Sequence, residues 1–356
     1  MNDDRIPSRM KLAVAGLLAW LAVLIPGLPA PAQDRPAGEI IKIAAVGDIM
    51  MGTENRLPAD GGTGLFLACR QYFLDRDVVF GNHEGTLTDR GKPTKVSKSG
   101  RSYSFRTPPA YARFLAEAGF NMISIANNHI NDYGPAGKQQ TIASLEKHGL
   151  QYSGPPGTLA RLNIRGQRVA MAAFHSSAHS HWLLDIPGAQ TLVRRLAAEN
   201  DIVIVSFHGG AEGLKALHVP TGPETFYGEK RGHLRKFAHA VIDAGADLVL
   251  GHGPHVPRAM QVYRDRLIAY SLGNFCTGQG ISVKGYAGYA PLLLAEIDTD
   301  GRLVGGRILS FLQTYGQPPQ LDPQNRAAHL IHQLGVQDFP RSNPVNEAGQ
   351  LVPHPE

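Results

Sequence analysis

Cysteine is nearly absent: Cys69 and Cys276 are the only two in 356 residues. Neither sits in a C-x-x-C pair or a Cys/His spacing, which argues against a thiolate zinc site or a dithiol redox motif. Their separation in sequence leaves open whether they pair or remain two buried thiols. Charge is also sparse, at 18% of residues, and the formal balance of +5 is too weak and dispersed to indicate a nucleic-acid partner. No G-x-S-x-G elbow, Walker loop or internal repeat occurs. What is present is a chain with 43% hydrophobic residues, neither disordered nor collagenous and long enough to bury a sizeable core. With Gly 40 and Pro 25, it should consist of short elements with tight connections, and its loops should carry the sites.

Arg5, Arg9 and Lys11 precede an uncharged apolar run from Leu12 to Ile25, followed by Pro26, Gly27 and Ala30-Pro31-Ala32. The run is short for a spanning helix, and its small-residue ending predicts a signal peptide over residues 1–32, cut after Ala32. A periplasmic or secreted location follows, with membrane contact only if the segment stays uncleaved. No Cys follows the run to take a lipid. Residues 33–39 read as a polar linker.

From Glu39 onward, apolar runs alternate with helical patterns. IIKIAAVGD and DVVFGN (77–82) read as strands, PAYARFLAEAGF (109–120) as a helix and NMISIANN (121–128) as a strand. GKQQTIASLEKHG (137–149) reads as a helix before RVAMAAF (168–174), TLVRRLAAEN (191–200) as a helix before DIVIVSFH (201–208), and 229–245 as a helix before ADLVLGH (246–252). Helices stopped by Gly or Asn and followed by strands give an α/β rhythm. LIAYSLGNF (267–275) reads as a strand, and PLLLAEID (291–298) with RLVGGRILSF (302–311) as a hairpin about Thr299-Asp300-Gly301. The expectation is one α/β domain over residues 40–315. A Pro-rich, polar C-terminal extension, 316–356, would hold one short helix at 325–335.

Metal-capable side chains fall at or just past the ends of these strands: Asp48, Glu84, Asn128, His129, His208, His252 and His255. That edge of an α/β sheet builds sites. Carboxylate, amide and imidazole groups carried on separate strand ends suit a hard or borderline divalent ion. Each residue alone has a structural reading as a turn, cap or solvated loop; together they point to one site. GHGPH (251–255) is the sharpest block, a rigid Gly/Pro loop presenting two imidazoles directly after ADLVL.

Six blocks then stand in order: AAVGDIMMG (44–52), VVFGNHEGTLTD (78–89), SIANNHINDYG (124–134), SFHGGAEG (206–213), GHGPHV (251–256) and YSLGNF (270–275). Over residues 41–315 the sequence resembles the capsule-synthesis CapA family, linked to poly-γ-glutamate capsule assembly and related to the calcineurin-like metallophosphoesterases. The resemblance implies a four-layer α/β sandwich holding one or two divalent ions, Mn²⁺, Zn²⁺ or Fe. By the resemblance the metal ligands are Asp48, Glu84, Asn128, His208, His252 and His255. His129 matches the residue that steadies the transition state or protonates the leaving group, so the catalytic pair is His129 with Asp48.

Three departures from the phosphoesterase and CapA patterns stand out. Asp48-Ile49-Met50 places a thioether where an imidazole is usual, the terminal histidines are spaced H-x-x-H, and His208-Gly209-Gly210 replaces H-W-G. His83, inside GNHE, has no assigned role beyond that of a supplementary ligand. The basic run 89–101 reads as a solvated hairpin or as a holder of an anionic polymer or phosphate. His175, His179 and His181 read as a loop near the cleft. Asn274 with Ser271 should shape the site floor. The expected function is an exported hydrolase of phosphatase type in capsule or poly-γ-glutamate assembly. The alternatives are a noncatalytic component that holds an anionic polymer during export beside the capsule machinery, and a metal that only stabilises the fold.

Overall fold

The structure is a computed structural model that describes Met1, residues 39–95 and residues 103–353. The expected signal peptide beyond Met1, and the linker up to residue 38, lie outside the described residues. In chain order the elements are β1 (Ile40–Ile49), β2 (Val78–His83), β3 (Thr86–Leu87), β4 (Arg106–Thr107), α1 (Ala112–Ala118), β5 (Met122–Ser124), α2 (Gly134–Lys147), β6 (Gln151–Ser153), β7 (Ala160–Ile164) and β8 (Gln167–His175). Then come β9 (His181–Trp182), α3 (Ile186–Glu199), β10 (Ile202–His208), β11 (Glu224–Phe226), β12 (Glu229–Gly232), α4 (Leu234–Asp243), β13 (Leu248–His252), β14 (Met260–Tyr263) and β15 (Arg266–Ala269). The last are β16 (Asn274–Cys276), β17 (Tyr289–Asp298), β18 (Leu303–Leu312), β19 (Gln320–Leu321), α5 (Arg326–Asp338) and β20 (Gln350–Leu351).

One sheet runs β19-β18-β17-β1-β2-β5-β6, with β16 beside β1 and β20 beside β18; the other runs β14-β15-β13-β10-β8-β7, with β9 beside β8. Period-two alternation along β1 explains why the sheets stack. Ile41, Ile43 and Ala45 join a core with Val169, Met171, Ile204 and Leu250 of the opposite sheet. Their neighbours Ala44 and Val46 join Phe114 and Leu115 of α1 and Leu145 of α2 on the outer face. On the other side Ala170, Val203, Val205 and Val249 meet Val193 and Leu196 of α3 and Phe237 and Val241 of α4. Strands buried on both faces read as continuous apolar runs, and the product is the expected four-layer α/β sandwich.

The strands that carry the site are parallel. β1 pairs in parallel with β2 and β16, β2 with β5, and β10 with both β8 and β13. Their C-terminal ends therefore share one rim. The antiparallel hairpin β17–β18 turns where expected, with Gly301 at φ +79°.

Three expectations change. The strand read over 267–275 is two: β15 belongs to one sheet and β16 to the other, with Tyr270–Gly273 crossing between them. Gly273, at φ +59°, makes that crossing possible, because a Cβ there would meet the Pro257 backbone nitrogen at 2.9 Å. The helix read over 229–245 begins only at Leu234, because Glu229–Gly232 pairs with Glu224–Phe226 as a ribbon. The segment expected as an extension beyond residue 315 is folded onto the sandwich: Ala327, Ala328 and Ile331 of α5 are fully buried, and β19 and β20 add to β18. Cys69 and Cys276 are buried free thiols, and burial pushes both thiol pKa values up, that of Cys276 to about 12. No described helix is long and apolar enough to cross a membrane.

Candidate metal centre

Asp48 reaches the rim because β1 runs to it, and there the strand breaks register, with β2 between Ala45 and Asp48 and with β16 between Asp48 and Ile49, a bulge that re-aims the chain. Past the bulge Met50 lines a separate cavity with Cys276 and lies against Gly280, so it offers the rim no sulfur ligand. The carboxylate of Asp48 is fully buried. Its Oδ2 lies 2.9 Å from His255 Nδ1, and its Oδ1 lies 3.2 Å from His252 Nδ1 and 2.8 Å from Asn82 Nδ2. The same Asn82 amide donates to Glu84 Oε2 at 2.8 Å, bracing the two buried carboxylates against their mutual repulsion. Glu84 Oε2 in turn lies 3.0 Å from His208 Nε2, though off the line a hydrogen bond requires.

Ligand atoms of Asp48, His208 and His255 all lie within 4.8 Å of one another, a spacing that suits a single cation. His252 and Glu84 border that group through their contacts with Asp48 and His208. Asn128 carries a buried Oδ1 with no hydrogen-bond partner. Glu84 Oε1 and both ring nitrogens of His208 and His252 are in the same condition. Buried polar atoms left unpaired are costly, and a divalent ion would satisfy this mixed carboxylate, amide and imidazole set. The residues present therefore fit a metal.

Charge agrees with the geometry. Burial alone would raise the Asp48 carboxyl pKa, but His252 and His255 outweigh it and hold the group well below the usual carboxylate range. Glu84 is lowered to about 2: burial and Asp48 oppose its ionisation, and His208 more than offsets them. Burial disfavours charge on His255, yet the hydrogen bond to Asp48 raises it to about 10.

The floor is as expected. Asn274 Oδ1 meets His255 Nδ1 at 3.1 Å, while Ser271 Oγ donates to Val256 O at 2.7 Å and accepts from Gly273 N at 3.1 Å. His255 adopts a left-handed φ of +57°, and Gly253 (φ +115°) packs so closely on Gly209 that a Cβ would come within 2.5 Å of its carbonyl oxygen. Non-glycine residues held in that conformation cluster at functional sites.

His129 stands across the rim, its Nε2 3.9 Å from Glu84 Oε1. Its Nδ1 lies 2.7 Å from Asp132 Oδ2, and the opposite oxygen of Asp132 meets Lys95 Nζ at 2.8 Å. The short contact to a carboxylate favours the tautomer that donates from Nδ1, leaving Nε2 toward the rim. Asp132 also accepts from Phe105 N at 2.7 Å, and the Phe105 ring packs against the imidazole with centroids 4.3 Å apart and planes tilted by 30°. Asp132 carries no role in the sequence reading, and Lys95 figures there only as part of the basic run 89–101. The spacing of Asp132, three residues after His129 inside SIANNHINDYG, is the signal that could have marked it.

His83 does not join the cluster. It alternates with Asn82 along β2, and both its ring nitrogens are buried without a partner, with burial lowering its pKa to about 4. The 175/179/181 group divides. His175 ends β8 in register with His208, ring centroids 5.4 Å apart, while His181 turns away to Thr158 O at 3.0 Å. His179 lines a cavity beside His175.

The family described as bacterial capsule synthesis protein PGA_cap matches residues 42–279. The capsule biosynthesis protein CapA of Bacillus anthracis is 29% identical over 277 residues, covering 70% of this chain and 63% of that protein. The PGA biosynthesis protein CapA of Bacillus subtilis (strain 168) is 26% identical over 269 residues, covering 70% and 67%. The chain thus spans about two thirds of the length of these curated relatives, and less than that of the first. Among solved structures, the 5'-nucleotidase precursor of Thermus thermophilus overlays 85% of this chain and 60% of its own at 13% identity and a TM-score of 0.45, a likeness too loose to carry chemistry.

Proposed function

Since the chain belongs to the bacterial capsule synthesis family PGA_cap, we propose that it is an exported metal-dependent hydrolase of phosphatase type acting in capsule or poly-γ-glutamate assembly. The observation that carries this reading is the convergence of Asp48, His208 and His255, from three different strand ends, on one point. Asp48, His208 and His255 would hold a first divalent ion of the Mn²⁺, Zn²⁺ or Fe class, with His252, Glu84 and Asn128 completing its shell or serving a second. Such an ion supplies a Lewis acid and lowers the pKa of water. The chain's own groups do the rest: Asn82 fixes the carboxylates, Asp132 and Lys95 orient His129, and His129 Nε2 is turned to the rim, where the neutral ring can accept a proton and the doubly protonated ring can give one to a leaving group. The export signal over 1–32 is part of the proposal, as is contact with the capsule machinery.

The test is turnover of aryl phosphates, phosphodiesters and poly-γ-glutamate by the purified protein with Mn²⁺, Zn²⁺ or Fe²⁺. Hydrolysis that disappears in Asp48→Asn and His208→Asn supports the reading; no turnover of any of them refutes it. One observation favours a second reading: Met50 leaves the rim without the imidazole usual in the phosphoesterases. On that reading the cluster holds an anionic polymer and cuts nothing. Polyglutamate binding without hydrolysis is its expected result.

A further inference from the structure

Beside the cluster lies a cavity of about 460 Å³ that shares Asn128 and His175 with the rim and whose charged lining is Lys95, Lys230, Arg231 and the carboxylate of Glu229, with His179 beside them. The ribbon β11–β12 supplies Glu229, Lys230 and Arg231. Arg231 is only 5% exposed. Its guanidinium lies 2.9 Å from Glu212 Oε1 and 3.0 Å from Glu229 Oε2, over the Phe226 ring at 5.6 Å. Those neighbours fix its position: Nη1 is ion-paired with Glu212 off the line a hydrogen bond requires, and Nε is buried with no hydrogen-bond partner. Lys95 is paired with Asp132, whereas Lys230 is exposed and has no ion-pair partner among the described residues. A cavity lined by three cations, Lys95, Lys230 and Arg231, against the one carboxylate of Glu229 carries a cationic excess that suits an oxyanion.

We propose that this cavity is an oxyanion subsite. It takes a second carboxylate or phosphate of a substrate whose reacting bond lies at the Asp48–His208–His255 cluster, and Arg231 and Lys230 set that preference. The proposal rests on the metal-centre reading for the position of the reacting bond. The subsite itself stands on the cavity and the two cations.

Calorimetric titration of the full-length protein with orthophosphate and, separately, γ-linked triglutamate, with and without chelator, tests it and tells the two oxyanion sources apart. Arg231→Lys should weaken binding of the preferred anion about tenfold, the loss expected for a charge-assisted hydrogen bond. Because a buried pair is disturbed there, Lys230→Glu is the second variant: the residue is exposed, and its reversal should weaken binding at unchanged melting temperature. Lys147→Glu, an exposed charge reversal on α2, should leave binding as it was. Binding indifferent to both cavity variants, or weakened equally by Lys147→Glu, overturns the subsite. Binding that depends on Arg231 and Lys230 sustains it even if no phosphoester is hydrolysed, in which case only the catalytic reading fails. Metal-dependent turnover with a KM unchanged in both cavity variants has the opposite meaning and removes the subsite alone.

Discussion

Arg258 is fully buried, and it clamps the two loops that carry the histidines. Its Nη1 and Nη2 donate to Glu224 at 3.0 and 2.8 Å, its Nε to Ala216 O at 2.6 Å, and Nη2 also approaches Ala211 O at 3.3 Å. Glu224 accepts in addition from Ala211 N at 2.9 Å. The clamp thereby ties the loop after His208 to the segment after His255. In Arg258→Ala the carboxylate of Glu224, 8% exposed, remains buried without a cation, and two carbonyls lose their donors. Breaking one side of a buried pair costs about 3–5 kcal/mol, a large part of a typical domain's stability. The double variant Arg258→Met with Glu224→Gln leaves no net charge inside and should lose at least about 1–2 kcal/mol less than Arg258→Ala. Urea unfolding followed by circular dichroism measures the wild type and both variants, and added salt should not rescue the single variant because the site is shielded from solvent. A loss below about 1 kcal/mol for Arg258→Ala would refute the reasoning, since it would mean that Glu224 finds solvent or protonates at little cost.

Three further outcomes follow from the packing. Burial raises the Asp247 carboxyl pKa to about 6 from an ordinary 3.8. The folded state then binds more protons than the unfolded one, so stability should fall as pH rises from about 4 to about 6, by at most about 3 kcal/mol. Asp247→Asn, which keeps an acceptor for Val203 N, should flatten that slope in urea titrations at several pH values. Gly253→Ala would drive a Cβ to 2.5 Å from Gly209 O at a left-handed φ, at a cost of roughly 2–3 kcal/mol in thermal unfolding and with lowered metal content. Cys69 and Cys276 should react with a thiol reagent only after denaturation, and should do so without prior reduction.

How far the sequence carries the site can be judged residue by residue. Asp48, His208 and His252 end strands whose apolar runs are local signals, and since parallel strands deliver their C-terminal ends to one rim, naming those ends comes close to naming the site. The outer helices are legible in the same way, from Gly or Asn stops such as Gly119, which closes α1 in a left-handed turn. What stays hidden depends on contacts between distant segments. The split of 267–275 between two sheets is invisible in a continuous apolar run, because nothing local says which sheet a strand joins. His175 reads as one of three loop histidines until β8 is seen beside β10. The brace of Lys95 on Asp132 and His129 links positions 34 and 37 residues apart and has no periodic signature. The C-terminal helix reads as part of an extension because its surroundings are Pro-rich and polar, although Ala328 and Ile331 complete the core between the sheets.

The central claim is that side chains remote in sequence share one divalent ion. The direct measurement is the metal content of the purified full-length protein by plasma mass spectrometry, wild type against Asp48→Asn, after both are reloaded and dialysed. At least one tightly held ion per chain in the wild type, lost in the variant with its fold intact, is the predicted result. A wild type that retains none, or an Asp48→Asn protein that keeps the same stoichiometry, would contradict it.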